Sequence, residues 1–209
     1  MFTGIISKTS KVKKVRSDKD NLFVDVVNNL GKIKRGSSIN INGVCSTVKA
    51  LAPGSIGGGK IISFEYMPET LKLTNMSSLK VGDSVNIEQS MRMNDLLDGH
   101  VVLGHIDGKG EILNIKKEGN SKMFEIKMPN PPSHKASAGQ GNFMKFLVYK
   151  GSVAIEGISL TVTKVAKNSF EVKVLPYTLE HTNLKNKKIG DELNLEFDIL
   201  AKYAHGNKK

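Results

Sequence analysis

A single cysteine, Cys45, rules out an internal disulfide and points to a reducing compartment, leaving one free thiol to explain. Tryptophan is absent and aromatic residues make up only 6% of the chain, so no aromatic motif for stacking bases runs between the lysines. No apolar run approaches the roughly 20 residues that cross a bilayer, and Lys8 and Ser10 arrive before a signal-peptide core could form. These absences predict a cytoplasmic protein with neither a membrane nor a nucleic-acid partner. Acidic residues are outnumbered, 20 to 31, giving a net charge of +11. The lysines are spread through "KVKKV", "KIKR", "IKK" and "KNKK", which reads as a solvated surface; RNA binding by a basic barrel stays as a minor alternative with no motif behind it. Patterns such as CxxC and HExxH are missing as well, so no metal is expected.

What the chain does contain is short β-type runs: 22–27, 38–51, 60–67, 122–128 and 169–175, each bounded by glycine, asparagine or proline. Helical patterning is confined to "PETLKLTNM" and "PYTLEHTNL", where proline stands at a helix start. Those two segments belong to a repeat. "TGIISKTSKVKKV" matches "LGHIDGKGEILNI" with Gly4 on Gly104, and "NGVCSTVKAL" matches "EGISLTVTKV" with Cys45 on Ser159. Thr70 falls on Thr178 and Gly82 on Gly190. The spacing changes where insertions belong, at 53–59 in the first half and 129–142 in the second. A period near 100 residues is too long for a solenoid, so each half is expected to be a small domain with its own core. About six short alternating strands per half suggest closed antiparallel barrels, since closure removes exposed edges. The predicted fold is all-β: two similar six-stranded antiparallel Greek-key barrels, 1–97 and 98–200, with short helices and a short helical tail at 201–209.

His100 and His105 stand at the seam. Residues five apart point to opposite faces of a strand and lie about 140° apart on a helix, so one regular element cannot aim both at a metal. Two readings stay open, an imidazole packed in the linker or one serving a site between the halves. Cys45 reads alone as a small buried hydrophobe. Its repeat partner Ser159, together with the equivalent Thr47 and Thr161 two residues on and so on the same strand face, suggests two copies of one small-molecule site. The glycines of "GSIGGGK" lack the spacing of a phosphate-binding loop.

The pieces "MFTGII", "NGVCSTV", "PETLKLTN", "GHVVLGHID", "YKGSVAIEGISLTV", "PYTLEHTN" and "IGDELNLEFD", in this order, make residues 1 to 200 resemble the riboflavin synthase family. The resemblance implies tandem lumazine-binding barrels and a dismutation of two 6,7-dimethyl-8-ribityllumazine molecules to riboflavin and 5-amino-6-ribitylamino-uracil, with no cofactor. It implies a homotrimer whose sites form between the N-terminal barrel of one subunit and the C-terminal barrel of the next, and an association with lumazine synthase. Gly4, Ile5, Ile6, Cys45, Ser46, Thr47 and Thr70 match the family's first-barrel ligand contacts. Gly104, His105, Ile106, Lys150, Ser159, Leu160, Thr161 and Thr178 match those of the second. The backbone near Gly4 and Gly104 is expected to hydrogen-bond the ligand.

Phe2, Ser38, Cys45, His105, Ser159 and Asp198 match positions tied to activity, with Cys45 and Ser159 near the C7 carbons and His105 moving protons from the 7-methyl groups. His100 belongs to the same motif, its role open between catalysis and structure. Two departures stand out: Ser46 occupies a position where the family carries leucine, and only eleven residues follow Asp198, where the family continues in a trimerising helix. The alternative of a non-catalytic lumazine- or flavin-binding relative is disfavoured because Cys45, His100, His105, Lys150 and Ser159 are all present.

Overall fold

The structure is a computed structural model that describes residues 1–6, 8–52, 61–129 and 143–206. The insertions expected at 53–59 and 129–142, and the "GSIGGGK" glycines, fall almost entirely outside the described residues.

The first half contributes β1 (Lys8–Asp18), β2 (Asn21–Val27), β3 (Ser38–Ile41), β4 (Val44–Thr47), β5 (Ala50–Ala52), β6 (Ile61–Tyr66) and β7 (Ser84–Gln89). The second contributes β8 (Gly108–Glu118), β9 (Ser121–Lys127), β10 (Ser152–Ile155), β11 (Ile158–Val165), β12 (Ser169–Val174) and β13 (Glu192–Phe197). The second-half strands close into a six-stranded antiparallel barrel in the order β10-β11-β12-β9-β8-β13, β13 returning to pair with β10. The first half differs from the six strands expected: its sheet has seven, ordered β4-β3-β7-β1-β2-β6-β5. Its two end strands are consecutive in the chain. Only Val48 and Lys49 separate β4 from β5, and their N–H groups donate to Ser37 O at 2.9 Å and Ser63 O at 2.8 Å, one on each side of the gap. The seventh strand is thus one barrel strand interrupted. At the equivalent place, between Val162 and Lys164, β11 carries a register shift, a bulge that bends the strand without breaking it. β1 and β8 also share a bulge, at Val12/Lys14 and Ile112/Asn114.

Strand alternation builds the cores. In β2 the buried residues are Leu22, Val24 and Val26, and β6 adds Ile62, Phe64 and Tyr66 to the same cluster. The second barrel is filled by Ile112, Phe124, Ile126, Phe170, Leu195 and Phe197, among others. Helices stay short. Pro68 and Pro176 open α1 (Pro68–Leu73) and α2 (Pro176–His181), where the missing N–H costs nothing. Each runs into a 3₁₀ turn, Asn75–Ser78 or Asn183–Asn186. A third helix, α3 (Ile199–Gly206), starts at Asp198, whose Oδ1 accepts from Leu200 N at 2.9 Å.

The barrels meet about an approximate twofold axis. Asn42–Gly43 and Glu156–Gly157 are the hairpin turns β3–β4 and β10–β11, all four residues at positive φ (47°, 89°, 51° and 80°), as a two-residue turn of this hand requires. The turns touch: a Cβ on Gly43 would lie 2.9 Å from Gly157 N. Around them runs a buried polar network duplicated by the repeat. Asn75 N donates to Asn194 Oδ1 (2.8 Å) and Asn183 N to Asn86 Oδ1 (2.7 Å). Asn86 N donates to Asn42 Oδ1 and Asn194 N to Glu156 Oε1, both at 2.8 Å. Glutamate is a poor choice at positive φ. It is held there because its buried carboxylate also takes Asn75 Nδ2 and Asn183 Nδ2, each at 2.7 Å, with Lys187 Nζ at 3.5 Å.

Candidate functional site

Ahead of the first strand of each half run two equivalent stretches, Phe2–Ile6 and Val102–Ile106. They pass antiparallel at Phe2 and Val102, with Phe2 N to Val102 O at 2.7 Å and the reverse bond at 3.1 Å. Both side chains are fully buried, packed with Ala154 and against Cys45. Beyond this bridge each stretch crosses to the other barrel. Gly4 O accepts from Ser159 N at 2.8 Å, and Gly104 O accepts from Cys45 N at 2.9 Å. Ile6 packs on the second core and Ile106 on the first. The resemblance grouped Gly4–Ile6 with Cys45 as first-barrel ligand contacts and Gly104–Ile106 with Ser159 as second-barrel ones; in the structure each stretch packs against the opposite barrel instead. The alignment of the halves pairs each stretch with its counterpart, and a twofold axis between counterparts is satisfied equally well by a straight or a crossed arrangement.

The crossing needs glycine at both points. Gly4 and Gly104 have φ of +76° and +79°, and a Cβ would stand 2.7 Å from Ser159 Cβ and 2.6 Å from Cys45 Cβ. Each stretch is gripped by its own barrel through a buried carboxylate. Glu88 Oε1 accepts from Thr3 N (2.7 Å) and Thr3 Oγ1 (2.8 Å), and its Oε2 from Gly4 N (3.2 Å). Glu196 accepts from Leu103 N (2.7 Å) and Gly104 N (2.8 Å). Burial pushes the carboxyl of Glu196 up to about 7 against the opposing pull of these N–H groups and of Lys202, with Asp107 adding to the rise. Burial raises Glu88 in the same direction. Sequence reasoning misses both acids, because a glutamate in a β-patterned run reads as a solvent-facing residue. The usable signal is the repeat itself, which aligns "VNIE" with "LNLE".

Consequently the Gly4 and Gly104 amides are already engaged, and the stretches have their remaining backbone groups at Ile5–Ile6 and His105–Ile106. Ile5 N donates to Thr3 Oγ1 at 3.1 Å. Cys45 and Ser159 are half-buried at the crossings, and the outward-facing Thr47 and Thr161 follow two residues on. Ser46 and Leu160 point the other way, into the barrels: the Ser46 hydroxyl lies 2.9 Å from Tyr66 OH and donates to Val44 O at 3.0 Å, so the departure from leucine is accommodated inside the core. Ser38 sits opposite Thr47 in the β3–β4 hairpin. Thr70 and Thr178 are half-buried on α1 and α2, and Lys150 is exposed at φ +66°, where the first half has Gly36.

The two histidines part company. His100 is buried, and its Nδ1 lies 2.7 Å from Ser159 Oγ. Burial lowers its pKa, which favours the neutral ring, while the nearby Asp198 charge pulls the other way. His105 is exposed, with no hydrogen bond to its ring among the described residues. The arrangement thus contains a hydroxyl–imidazole pair with a carboxylate near it, and a thiol at the equivalent crossing. A cleft of about 600 Å³ beside Thr47 is lined by Arg35, Gly36, Glu65 and Met67, at the start of α1, and is of a size that holds a small heterocycle. Another, of about 560 Å³, lies beside the asparagine network, lined by Lys80, Asp83, Asn186 and Asp191, and contains none of the residues expected at the site. Among the described residues no group of three or more His, Cys, Asp or Glu could hold a metal ion, and no helix is long and apolar enough to cross a membrane.

Comparison with known proteins returns a consistent set. The lumazine binding domain matches twice, at residues 3–90 and 103–198. The chain is 38% identical over 207 residues to the riboflavin synthase of Actinobacillus pleuropneumoniae, spanning 97% of this chain and 87% of that one. It is 36% identical over 206 residues to the riboflavin synthase of Brucella abortus, spanning 98% and 96%. Its fold is that of LumP, seen in crystal structures with 6,7-dimethyl-8-(1'-D-ribityl) lumazine (TM-score 0.77, 22% identity, 94% of this chain and 98% of that one) and with riboflavin (TM-score 0.80, 21% identity, 94% and 99%).

Proposed function

The chain belongs to the riboflavin synthase family and catalyses its dismutation, moving four carbons between two 6,7-dimethyl-8-ribityllumazine molecules to give riboflavin and 5-amino-6-ribitylamino-uracil; on that premise we propose that each half holds one substrate, beside Cys45 in the first and Ser159 in the second. The atoms of two substrates are conserved in two products, so the reaction consumes no oxidant and calls for no cofactor. What it requires is two like molecules held in fixed relation, an entropic advantage worth up to about 7–11 kcal/mol of barrier. Two equivalent barrels supply this, as units 1–97 and 98–200 with the tail 201–209 after them. The crossed exchange of Gly4 with Ser159 and Gly104 with Cys45 carries the reading, because it sets the two nucleophile-capable side chains in equivalent surroundings made from both halves of the chain.

Within this scheme Thr47, Thr70, Thr161 and Thr178 offer hydroxyls to the ligands, and the backbones of Ile5–Ile6 and His105–Ile106 line them. Lys150 reaches the second ligand from its exposed position, and Ser38 supports Thr47. Phe2 seals the axis between the sites. His100, neutral and paired with Ser159, takes the hydroxyl proton, Asp198 stabilising the charged ring that results. Cys45 and Ser159 approach the C7 carbons. His105, open to its surroundings, moves protons at the 7-methyl groups. The protein works as a cytoplasmic homotrimer, a reading supported by family membership and by the large apolar side chains of Val148, Tyr149, Leu175 and Tyr177, which stand exposed on the single chain. An association with lumazine synthase is part of the same proposal and is checked by co-sedimentation of the two purified proteins.

The test is direct. Wild-type protein incubated with the lumazine and no added cofactor forms fluorescent riboflavin, and His105→Ala and Cys45→Ala slow it; wild-type rates in both variants contradict the residue assignment.

A further inference from the structure

We propose that Glu88 and Glu196 are a symmetry-related pair of positioning residues, each holding, from its own barrel, the wall of the lumazine site on the other. The inference rests on the reading of Cys45 and Ser159 as site residues; the hydrogen bonds that carry it do not. Glu196 stands on β13 of the second barrel, opposite Ala154 of β10. Its two oxygens fix Leu103 N and Gly104 N, and the next polar atom along, Gly104 O, meets Cys45 N on β4 of the first barrel. Glu88 stands on β7 of the first barrel, opposite Asn40 of β3. It fixes Thr3 N and Gly4 N, and Gly4 O meets Ser159 N on β11 of the second. Every link in one chain of contacts has its counterpart in the other.

A carboxylate is suited to this task. Two adjacent backbone N–H groups converge on one side chain, and two acceptor oxygens at fixed separation set the direction in which the following carbonyl points. A solvent-facing glutamate serving only solubility would not be 2% to 5% exposed, as Glu196 and Glu88 are. Nor would it take these bonds at the cost of burial, which raises the pKa of both. The charged groups facing Glu196 are Lys202 of α3 and Asp107 before β8; the group facing Glu88 is the chain's own terminal ammonium. The pair differs in one respect: Thr3 adds a hydroxyl donor to Glu88, whereas Leu103 can add none to Glu196.

Because control is crossed, damage should surface in the opposite barrel. The only cysteine makes this measurable: its alkylation by N-ethylmaleimide reports on the first-barrel crossing alone. Glu196→Gln replaces one acceptor oxygen by a donor and should free Gly104 from Cys45, raising the alkylation rate at least fivefold. Glu88→Gln, on the same barrel as Cys45, should leave that rate within twofold. In turnover of the lumazine both variants should lose at least tenfold in kcat with KM changed less than threefold, since the displaced wall orients the substrates while the hydroxyls of Thr47, Thr70, Thr161 and Thr178 that bind them remain. Glu196→Asp, which keeps the charge and withdraws it by one methylene, serves with the same expectation should Glu196→Gln not fold. The proposal is overturned if Glu88→Gln exposes Cys45 as much as Glu196→Gln does, if neither changes alkylation, or if both keep wild-type kcat. A wild-type chain without turnover would defeat the functional reading and leave the alkylation contrast to decide this one.

Discussion

Gly104→Ala tests the crossed contact by forcing a methyl group into it. The new Cβ would lie 2.6 Å from both the Cβ and the backbone N of Cys45, and the residue would keep a φ of +79°. The conformation alone costs about 1–2 kcal/mol for a residue with a side chain. Overlap with a strand backbone that cannot turn aside adds about 1–3 kcal/mol, as overpacking does elsewhere. The expected loss is about 2–5 kcal/mol, or roughly 4–20 °C in Tm for a chain of this length. Gly82→Ala separates the two contributions, because Gly82 shares the positive φ, at +94°, and a methyl group there would meet nothing within 4 Å. Urea unfolding of the two variants side by side should therefore show the Gly104 variant weaker by about 1–3 kcal/mol, with Gly4→Ala close to it by symmetry. Equal losses in Gly104→Ala and Gly82→Ala would show that Gly104 and Cys45 are not in tight contact.

Three further outcomes follow. Asn183→Ala removes the donor to Asn42 Oδ1 and Glu156 Oε2 and the acceptor of Asn86 Nδ2, and should lower unfolding stability by about 2–3 kcal/mol; a loss under half that would show the network to be dispensable. Glu196, held near 7 by burial, keeps its proton in the folded chain over a range where the unfolded chain releases it. Its contribution to stability is present below about pH 4.5 and is lost as pH rises through 7, up to about 3 kcal/mol, and Glu196→Gln should flatten that segment of a stability-against-pH curve. His100→Ala and Ser159→Ala should each reduce kcat by about 10²-fold, and the double variant should be little worse than either, since the two act as one pair. Additive losses in that cycle would separate them.

The barrels are legible because strand alternation and a repeat of about 100 residues survive in the sequence itself. Pro68 and Pro176 mark the helix starts where they occur. The crossing is not legible. Gly4 and Gly104 stand out as counterparts, yet nothing in a one-dimensional alignment says which barrel a flanking stretch will lie against. The break at Val48–Lys49 is hidden for a similar reason, since apolar alternation continues through it and only the pairing partners change. His100 illustrates a different limit. Its spacing from His105 excludes a shared metal, but its partner Ser159 is 59 residues away, and only the folded chain brings ring and hydroxyl to 2.7 Å. Asn75, Asn86, Asn183 and Asn194 sit in plain view within the aligned blocks, where they read as ordinary turn and surface residues until the interface buries them.

This chain exchanges four carbons between two identical substrates with nothing else required. The most direct measurement is the stoichiometry of purified protein acting on 6,7-dimethyl-8-ribityllumazine alone, with every species quantified by chromatography under nitrogen. Two lumazines should be consumed for each riboflavin and each 5-amino-6-ribitylamino-uracil formed, at a rate unaffected by removing oxygen. Lumazine bound tightly and recovered unchanged would contradict it and identify a carrier built on the same two barrels.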